Sequence, residues 1–422
     1  MAQTSERKVV VVGQGYVGLP LAMRAVEAGY DVVGYDVDPV RVARLNDRDS
    51  YVEDVSNDEL TSAIATGRYV ATTEPAHCES FDIAVVTVPT PLREGVPDVT
   101  YIEEAAQSLA KYLRPGATVI LESTTYPGTT EGIFSTLLTN GSGLTAGSDF
   151  FVGFSPERID PGNRVWGFAN TPKLVSGIDP ASLDAVLAFY DDLVETTVVV
   201  RSPREAELAK LLENTFRHVN IALVNELAMF AHDLGIDIWE TIDAAATKPF
   251  GFMRFTPGPG VGGHCLPIDP SYLSWQVKRA LGHAFRFVEL ANDVNDHMPD
   301  YLVRRVSLAL NRRQRAVHGA RILVLGLAYK KNTGDARESP AVRVAQLLLS
   351  LGADVRAADP HVVESHADSR ITRVMLTREE VSAADHVVLL TDHDDFDLGL
   401  LEHAYVLDAR GVLPRGEYVE HL

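Results

Sequence analysis

Short apolar runs alternate along the chain with longer stretches of helical periodicity. The run KVVVV at Lys8–Val12 is typical of a strand buried on both faces of a sheet, and residues 19–29 repeat apolar side chains at helical spacing. Further strand-like runs occupy Asp31–Tyr35, 83–88 and 118–122. This order of elements predicts an α/β domain with a doubly wound parallel sheet.

A much longer apolar repeat covers residues 205–234. Apolar side chains recur there every three or four positions, which predicts a helix of roughly 45 Å. Further apolar residues widen the face beyond one stripe, so we predict a helical connector that also forms a dimer interface. Lys210 and Asn214 lie four positions apart and therefore share a face of this helix. The repeating positions are Leu208, Leu212, Phe216, Val219, Leu223, Leu227, Phe230 and Leu234.

The C-terminal part of the chain repeats the strand–glycine–helix order. The run RILVLG at 321–326 ends on a glycine but lacks the full glycine fingerprint. Helical spacing then continues to residue 351, and strand-like runs follow at Asp354–Ala358 and 386–390. The predicted fold class is therefore α/β, with two Rossmann-like doubly wound domains joined by a long central helix. We place the three domains at residues 1–200, 201–315 and 316–422.

Charge and cysteine content exclude several classes of protein. The 422 residues include 38 lysines and arginines against 58 aspartates and glutamates, a net charge of −20, so general binding of nucleic acid is disfavoured. Two cysteines, Cys78 and Cys265, cannot form a disulfide framework, which favours a reducing, cytosolic compartment. No apolar run approaches the roughly 18 residues needed to span a bilayer, and we expect no membrane association.

A dinucleotide fingerprint follows the first strand. Gly13, Gly15 and Gly18 form G-x-G-x-x-G between a strand and a helix, and Asp36 ends the second strand. Gly13 would permit a tight turn, Gly15 close approach of a pyrophosphate, and Gly18 packing of the helix on the strand. A carboxylate at position 36 would accept hydrogen bonds from ribose hydroxyls, so NAD is favoured over NADP. The alternative is a glycine turn that binds nothing.

Other polar residues stand where a ligand would bind. Thr90 and Thr124 lie in the loops after the third and fourth predicted strands, where they meet a cofactor or merely form turns and helix caps. A basic cluster of Lys330, Lys331 and Arg337 is prominent in so acidic a chain. We interpret it as an anion site, the alternative being a solvated charge run.

A loop rich in glycine and proline, residues 255–270, contains Cys265. Its glycines give a ligand access to the main chain, as a nucleophilic cysteine requires, and Asp269 could position water. The alternative is that Cys265 is a small buried apolar side chain, which is how we interpret Cys78. A metal site at His264 and Cys265 is disfavoured because no second ligand pair accompanies them.

With these motifs in order, the chain resembles the nucleotide-sugar 6-dehydrogenases, the family of UDP-glucose, UDP-N-acetylhexosamine and GDP-mannose dehydrogenases. The resemblance covers nearly the whole chain. It is carried by GQGYVGLPLA (13–22), VPTP (88–91), ESTTYPGTT (122–130), SPER (155–158), KLLENTF (210–216), GPGVGGHCLPIDP (258–270) and GLAYKKNTGDARES (326–339).

The resemblance implies a four-electron oxidation of a sugar C6 alcohol to a carboxylate, with reduction of two NAD. Cys265 would trap the aldehyde as a thiohemiacetal, hydride transfer would give a thioester, and water would hydrolyse it. Lys210 and Asn214 would stabilise the oxyanion, Asp269 would assist the base chemistry, and Glu157 would act as an acid/base or position water.

The resemblance also implies two binding sets and no metal. Thr124 would hold the water that Glu157 positions or would contact the nicotinamide. The cofactor would contact Gly13, Gly15, Tyr16, Val17, Gly18, Asp36, Arg41, Thr90, Thr124 and Arg337. The nucleotide sugar would contact Glu157, Arg158, Lys210, Asn214, Gly262 and Lys330.

The loop sequences favour one substrate branch. UDP-glucose enzymes commonly follow proline-glutamate with phenylalanine-leucine and a second glutamate, whereas residues 157–162 here read ERIDPG. We therefore expect UDP-N-acetylglucosamine as substrate, with UDP-glucose the alternative, and a homodimer or larger oligomer. Two other hypotheses remain open: a non-catalytic sugar-nucleotide sensor of the same fold, and a two-electron alcohol dehydrogenase without a thioester.

Overall fold

The computed structural model describes residues 7–93, 95–159, 163, 165–263, 266–362 and 369–422. The chain divides into two compact units, Met1–Glu213 and Asn214–Leu422. One helix, Pro203–Asp233, passes through the boundary between them. None of the helices in the described ranges is long and apolar enough to cross a membrane.

The first unit is built on an eight-stranded sheet and a short hairpin. Its strands are β1 Lys8–Val12, β2 Asp31–Tyr35, β3 Tyr69–Thr72, β4 Ile83–Val86, β5 Leu92–Arg93, β6 Val96–Pro97, β7 Thr118–Leu121, β8 Phe151–Phe154, β9 Lys173–Gly177 and β10 Thr197–Val199. Its helices are α1 Gly18–Glu27, α2 Pro39–Asn46, α3 Asn57–Ala65, α4 Thr100–Ala110, α5 Ser135–Ser142, α6 Pro180–Leu193 and the first part of α7 Pro203–Asp233. A π-helical turn, Thr130–Phe134, precedes α5.

The order of strands in this sheet is β10-β9-β8-β7-β4-β1-β2-β3. All neighbours pair in parallel except β8 and β9, which are antiparallel. The four valines of β1 are buried, as expected for a central strand covered by helices on both faces. Strand order reverses between β1 and β4, so their carboxyl ends open the crevice in which such sheets bind ligands.

The second unit joins helices to a smaller parallel sheet. After α7 come α8 Ile238–Ala246, α9 Asp269–Leu281, α10 Arg286–Arg312, α11 Pro340–Ser350 and α12 Arg378–Ala383. The strands are β11 Arg321–Leu325, β12 Asp354–Ala358, β13 Thr372–Arg373, β14 His386–Leu389, β15 Val406–Asp408 and β16 Val419–His421, in the order β13-β12-β11-β14-β15-β16. The order again reverses beside the first strand of the domain, between β11 and β14.

The predicted fold class is confirmed: two doubly wound domains are linked through a long helix. The predicted strands Lys8–Val12, Asp31–Tyr35 and Asp354–Ala358 have the same bounds in the structure. Helix α7 covers the long apolar repeat with ends within two residues of the prediction. Lys210 and Asn214 therefore stand one turn apart on the same helix.

Candidate active site

The three fingerprint glycines of the first unit have three different surroundings. Gly13 adopts a positive φ of +92°, and its N–H donates to the Tyr35 carbonyl at 2.8 Å. A Cβ at Gly18 would lie 1.9 Å from the Gly13 oxygen, so the helix can start there only without a side chain. A Cβ at Gly15 would meet nothing within 4 Å. This last position leaves an open cradle beside the turn.

The helix start and the aspartate beside this turn are the features expected to meet an anion and a ribose. Val17, which precedes α1, makes no side-chain cap, and the Leu19 N–H donates to the Gly15 carbonyl at 3.1 Å. Asp36 is buried, and its carboxylate accepts the N–H of Gln14 at 2.8 Å and of Asp38 at 2.9 Å. The Arg41 guanidinium lies 3.6 Å from it. These features fit a dinucleotide with free ribose hydroxyls.

Two loops border this crevice at the ends of β4 and β7. Thr90 and Thr124, both half-buried, lie in them, and Tyr16 is 40% exposed. The Ser123 hydroxyl donates to the Val88 carbonyl at 2.8 Å and so joins the two loops. The predicted cofactor residues of the first unit therefore cluster at one end of its sheet.

Glu207, on α7, is a buried carboxylate that the sequence motifs did not single out. It accepts hydrogen bonds from Gly128 N (2.5 Å), Thr130 N (2.9 Å) and Thr130 Oγ1 (2.7 Å). Burial raises the pKa of Glu207 to about 7, against these hydrogen bonds, which favour its charged form. Glu207 thus anchors the loop after β7 to the helix that carries Lys210.

Lys210 and Glu157 meet in the first unit through the main chain of Glu157. The Lys210 ammonium donates to the Glu157 carbonyl oxygen. The Glu157 carboxylate instead accepts the N–H groups of Arg158 (2.7 Å) and Ile159 (2.5 Å), and Lys173 lies 3.1 Å from its other oxygen. Arg158 itself pairs with Glu213 at 2.7 Å. The side chain expected to act as acid/base is therefore committed to internal contacts.

Lys173 also contacts Glu122. The side chains of Lys173, Glu122 and Glu157 therefore form a buried cluster of three charges. Burial raises the pKa of Glu122 to about 7, with Lys173 opposing and Glu157 adding to the shift. Burial alone would raise the pKa of Glu157 as well, but the ammonium of Lys173 and the hydrogen bonds hold it below its usual value. The two carboxylates outweigh burial at Lys173 and raise its pKa.

In the second unit, Asn214 and Asp269 form a direct pair. The Asn214 amide donates to Asp269 Oδ2 at 2.5 Å, and Asp269 is buried at the start of α9. The pair orients the amide of Asn214 against the carboxylate of Asp269. His264 and Cys265 lie outside the described residues, so the predicted nucleophile is not placed.

The glycine loop before Cys265 is fixed by polar contacts and close packing. Gly258 N donates to Asn225 Oδ1 at 2.9 Å, and Asn225 in turn donates to Asn295. A Cβ at Gly262 would lie 2.7 Å from the Glu338 carbonyl and 2.9 Å from Tyr329 Cβ. The loop is therefore held against residues 326–340, and Gly262 lies in that contact.

The three basic residues of the second unit have different surroundings. The Lys331 ammonium lies 2.7 Å from Asp394, and Arg337 donates to Asp335 at 2.7 Å. Lys330 is half-buried in the same loop. The start of the loop is held in place by Asp359, which accepts the N–H groups of Leu327 and Ala328 at 2.7 and 2.9 Å.

Comparison with known proteins extends over the whole chain. Profiles of the UDP-glucose/GDP-mannose dehydrogenase family match in three parts: the NAD binding domain at residues 7–194, the central domain at 204–297 and the UDP binding domain at 323–415. A UDP-N-acetyl-D-mannosamine dehydrogenase of Pyrococcus horikoshii is 34% identical over 414 residues, 96% of each chain. The chain belongs to the UDP-glucose/GDP-mannose dehydrogenase family.

Other members of this family are similar to the same extent. A UDP-N-acetyl-D-glucosamine 6-dehydrogenase of Pseudomonas aeruginosa is 36% identical over 419 residues, covering 95% of this chain and 97% of that one. The solved structure of the Pyrococcus horikoshii UDP-D-ManNAc dehydrogenase superposes with a TM-score of 0.88 at 32% identity, covering 98% of both chains. The chain is thus an NAD-dependent nucleotide-sugar dehydrogenase of this family, and NAD is its cofactor.

Family membership gives the two domains their ligands. The UDP-glucose/GDP-mannose dehydrogenase profiles assign NAD to the first domain, where the open cradle at Gly15 and buried Asp36 lie. They assign UDP to the last domain, which contains the loop with Lys330. In the described ranges, no group of three or more histidine, cysteine, aspartate or glutamate residues could hold a metal ion.

Proposed function

We propose that the protein oxidises the C6 alcohol of a UDP-sugar to the carboxylate in two successive steps, through a thiohemiacetal and a thioester on Cys265. The observation that carries the proposal is the polar pair on α7. Lys210 and Asn214 lie one turn apart, Lys210 on the Glu157 carbonyl and Asn214 on Asp269. An ammonium and an amide held in this way are suited to stabilise an oxyanion.

The remaining roles come from the chemistry of each side chain. NAD, when bound, accepts a hydride in each oxidation. Asp269, buried beside Asn214, is proposed to assist removal of protons and attack of water on the thioester. Thr124, in the loop after β7, is proposed to orient the reacting sugar or water. Lys330 and Arg158 are proposed to bind the nucleotide sugar. We also propose that the chain has three domains, with boundaries after residues 200 and 315.

For the sugar, we propose a UDP-N-acetylhexosamine, and UDP-N-acetylglucosamine first. The sequence ERIDPG at 157–162 supports this branch, as does the name of the Pseudomonas aeruginosa relative. UDP-N-acetylmannosamine is the second candidate, favoured by the Pyrococcus horikoshii relative. UDP-glucose is the third. A few pocket residues can change such a preference.

The deciding experiment measures NADH formed per sugar consumed, with each of these three UDP-sugars and with UDP-N-acetylgalactosamine and GDP-mannose. Two NADH per sugar are expected. One NADH and an aldehyde product would indicate a two-electron dehydrogenase, and no NADH with any sugar would favour a sensor. Cys265→Ser should abolish turnover while NAD affinity, measured by calorimetry, stays unchanged. Full activity of this variant would refute the covalent mechanism.

We further propose that the protein is a homodimer that pairs through α7. The exposed members of its apolar stripe range from 42% at Leu208 to 62% at Leu212, with Leu223 at 53% and Leu227 at 44%. An exposed apolar stripe of this length is typical of an interface. Light scattering should give the mass of a dimer for the unaltered protein. The double variant Leu223→Glu with Leu227→Glu should have the mass of a monomer. Val199→Glu, at an exposed apolar position outside the stripe, is the matched control.

A further inference from the structure

Lys173 is a buried lysine enclosed by two carboxylates and two aromatic rings. Its side chain is 5% exposed, and it contacts Glu122 (0%) and Glu157 (11%). The Tyr190 hydroxyl donates to the far oxygen of Glu122 at 2.9 Å. The rings of Phe168 and Tyr190 lie 5.2 and 5.3 Å from the ammonium. Each charge of the cluster therefore has a partner.

Stability does not by itself explain such a cluster. Taking three charges out of water costs free energy, and apolar side chains of similar volume usually stabilise a fold as well or better. What a fully paired buried cluster provides is a fixed geometry, because each member is held by several directional contacts. The contacts of Glu157 then indicate which part of the chain the cluster holds.

The cluster fixes the segment that comes after β8. One carboxylate oxygen of Glu157 accepts the N–H groups of Arg158 and Ile159, and the other faces Lys173. With both oxygens occupied, the side chain points into the unit. The main-chain carbonyl of the same residue accepts the ammonium of Lys210. Glu157 is thus held by Lys173 through its side chain and holds Lys210 through its main chain.

We propose that Lys173 is a positioning residue for the oxidation, because it holds Glu157 turned inward and thereby fixes the carbonyl on which the Lys210 ammonium rests. Glu122 anchors Lys173 from the other side. The inference rests on the proposed function of Lys210.

The test is a double-mutant cycle on kcat. Lys173→Met is expected to lower kcat about 10- to 100-fold, with little change in the KM for the UDP-sugar, because a misplaced catalytic group costs turnover more than binding. Lys210→Met is expected to retain a residual rate roughly 10²- to 10³-fold below that of the unaltered protein. Adding Lys173→Met to Lys210→Met should then cost little more, since Lys173 acts through Lys210. Equal effects in both backgrounds would overturn the proposal.

A second measurement does not depend on turnover. Acetylation by limiting acetic anhydride, read by mass spectrometry, compares Lys210 with the exposed Lys111 as an internal reference. Lys173→Met should increase the relative labelling of Lys210, because its ammonium is no longer held. Unchanged labelling would refute the proposal even if the protein oxidised none of the sugars. Absence of turnover in the unaltered protein would refute the proposed function alone.

Matched variants separate positioning from folding. Tyr190→Phe removes one hydrogen bond at the far end of the cluster and should leave kcat within about twofold. Lys173→Arg keeps the charge and should restore most of the lost kcat. If Lys173→Met does not fold, the double variant Glu122→Gln with Lys173→Met takes its place in both measurements. In this double variant Glu122 no longer leaves an unpaired carboxylate beside the missing ammonium. NAD affinity measured by calorimetry confirms that each variant is folded.

Discussion

The two large sheets close the turn after their first strand in the same way. Gly13 and Gly326 both adopt a positive φ, +92° and +84°, and donate their N–H to the last carbonyl of the neighbouring strand at 2.8 and 2.9 Å. An aspartate comes directly after that strand in each domain, Asp36 or Asp359, and accepts N–H groups of the turn. The two domains therefore use the same glycine turn after their first strand.

The domains differ in the segment after this glycine. Helix α1 begins at Gly18 without a side-chain cap. Helix α11 begins only at Pro340, after a loop that contains Lys330, and the Ser339 hydroxyl accepts the N–H of Ala341. The N-terminus of α11 therefore already has an acceptor of its own. In the first domain the turn leads directly into a helix, whereas in the C-terminal domain it leads into a loop that contains Lys330, Lys331 and Arg337.

The aspartates differ accordingly. Asp36 accepts one N–H at each oxygen. Asp359 accepts four N–H groups, from residues 327, 328, 361 and 362, and His393 Nε2 lies 3.1 Å from it. The same position thus holds two main-chain N–H groups in the first domain and four in the C-terminal domain. Two domains can therefore share a turn without sharing a ligand site.

The largest effect is expected from a side chain at the tight helix start of the first domain. Gly18→Ala places a Cβ 1.9 Å from the Gly13 oxygen and 2.5 Å from Thr87 Oγ1, so the turn must open. We expect a loss of about 4 kcal/mol in the free energy of unfolding and no measurable NAD binding. Gly15→Ala, with no atom within 4 Å, is the control. It should fold normally and still lose NAD affinity, and unimpaired NAD binding would refute the cradle at Gly15.

Asp359→Asn should lower the free energy of unfolding of the C-terminal domain by about 3 kcal/mol at neutral pH. An amide cannot accept all four N–H groups that the Asp359 carboxylate accepts. Burial would raise the pKa of Asp359, but His393 and the N–H groups of Val362, Ala328 and Leu327 outweigh it and hold the pKa well below its usual value of 3.8. The stabilisation is therefore present above about pH 4 and lost as the pH falls.

Hydrogen exchange of β12 measures this contribution in the intact protein. The difference between Asp359→Asn and the unaltered chain should shrink between pH 6 and the lowest pH at which the protein stays folded. Asp354→Asn, in the same strand with a 46% exposed side chain, is the matched control and should change little. A difference independent of pH would contradict the role of the charged carboxylate.

Asp36→Ala tests the aspartate that is expected to bind the ribose, and its effect on NAD binding should be smaller than that of Gly18→Ala. We expect NAD affinity to fall by about 2 kcal/mol, roughly 30-fold, and discrimination against NADP to relax. Titration of both cofactors by calorimetry measures the two effects. If the unaltered protein already bound NADP as well as NAD, the ribose assignment of Asp36 would be wrong.

Local patterns predicted the parts of the fold that local chemistry decides. Strands β1, β2 and β12 end where predicted because a glycine or an aspartate follows each of them directly: Gly13, Asp36 and Asp359. Helix α7 was predictable from its apolar spacing, and the glycine fingerprint located the turn at Gly13.

The supporting charges could not be predicted in this way. Lys173 and Glu122 are 51 positions apart, and Glu207 and Gly128 are 79 apart. No period or short motif joins such residues, and an isolated lysine or glutamate in a sequence is most simply interpreted as solvent-exposed. Only the folded sheet brings them together, and with them the inward orientation of Glu157.

Helix α7 sets a fixed angular register for chemistry. Glu207, Lys210 and Asn214 succeed one another at spacings of three and four, so their directions around the helix axis are set by the 100° turn per residue. Inserting a single residue between Glu207 and Lys210 would rotate every later side chain by about 100°. Changes of length are therefore excluded from this part of α7.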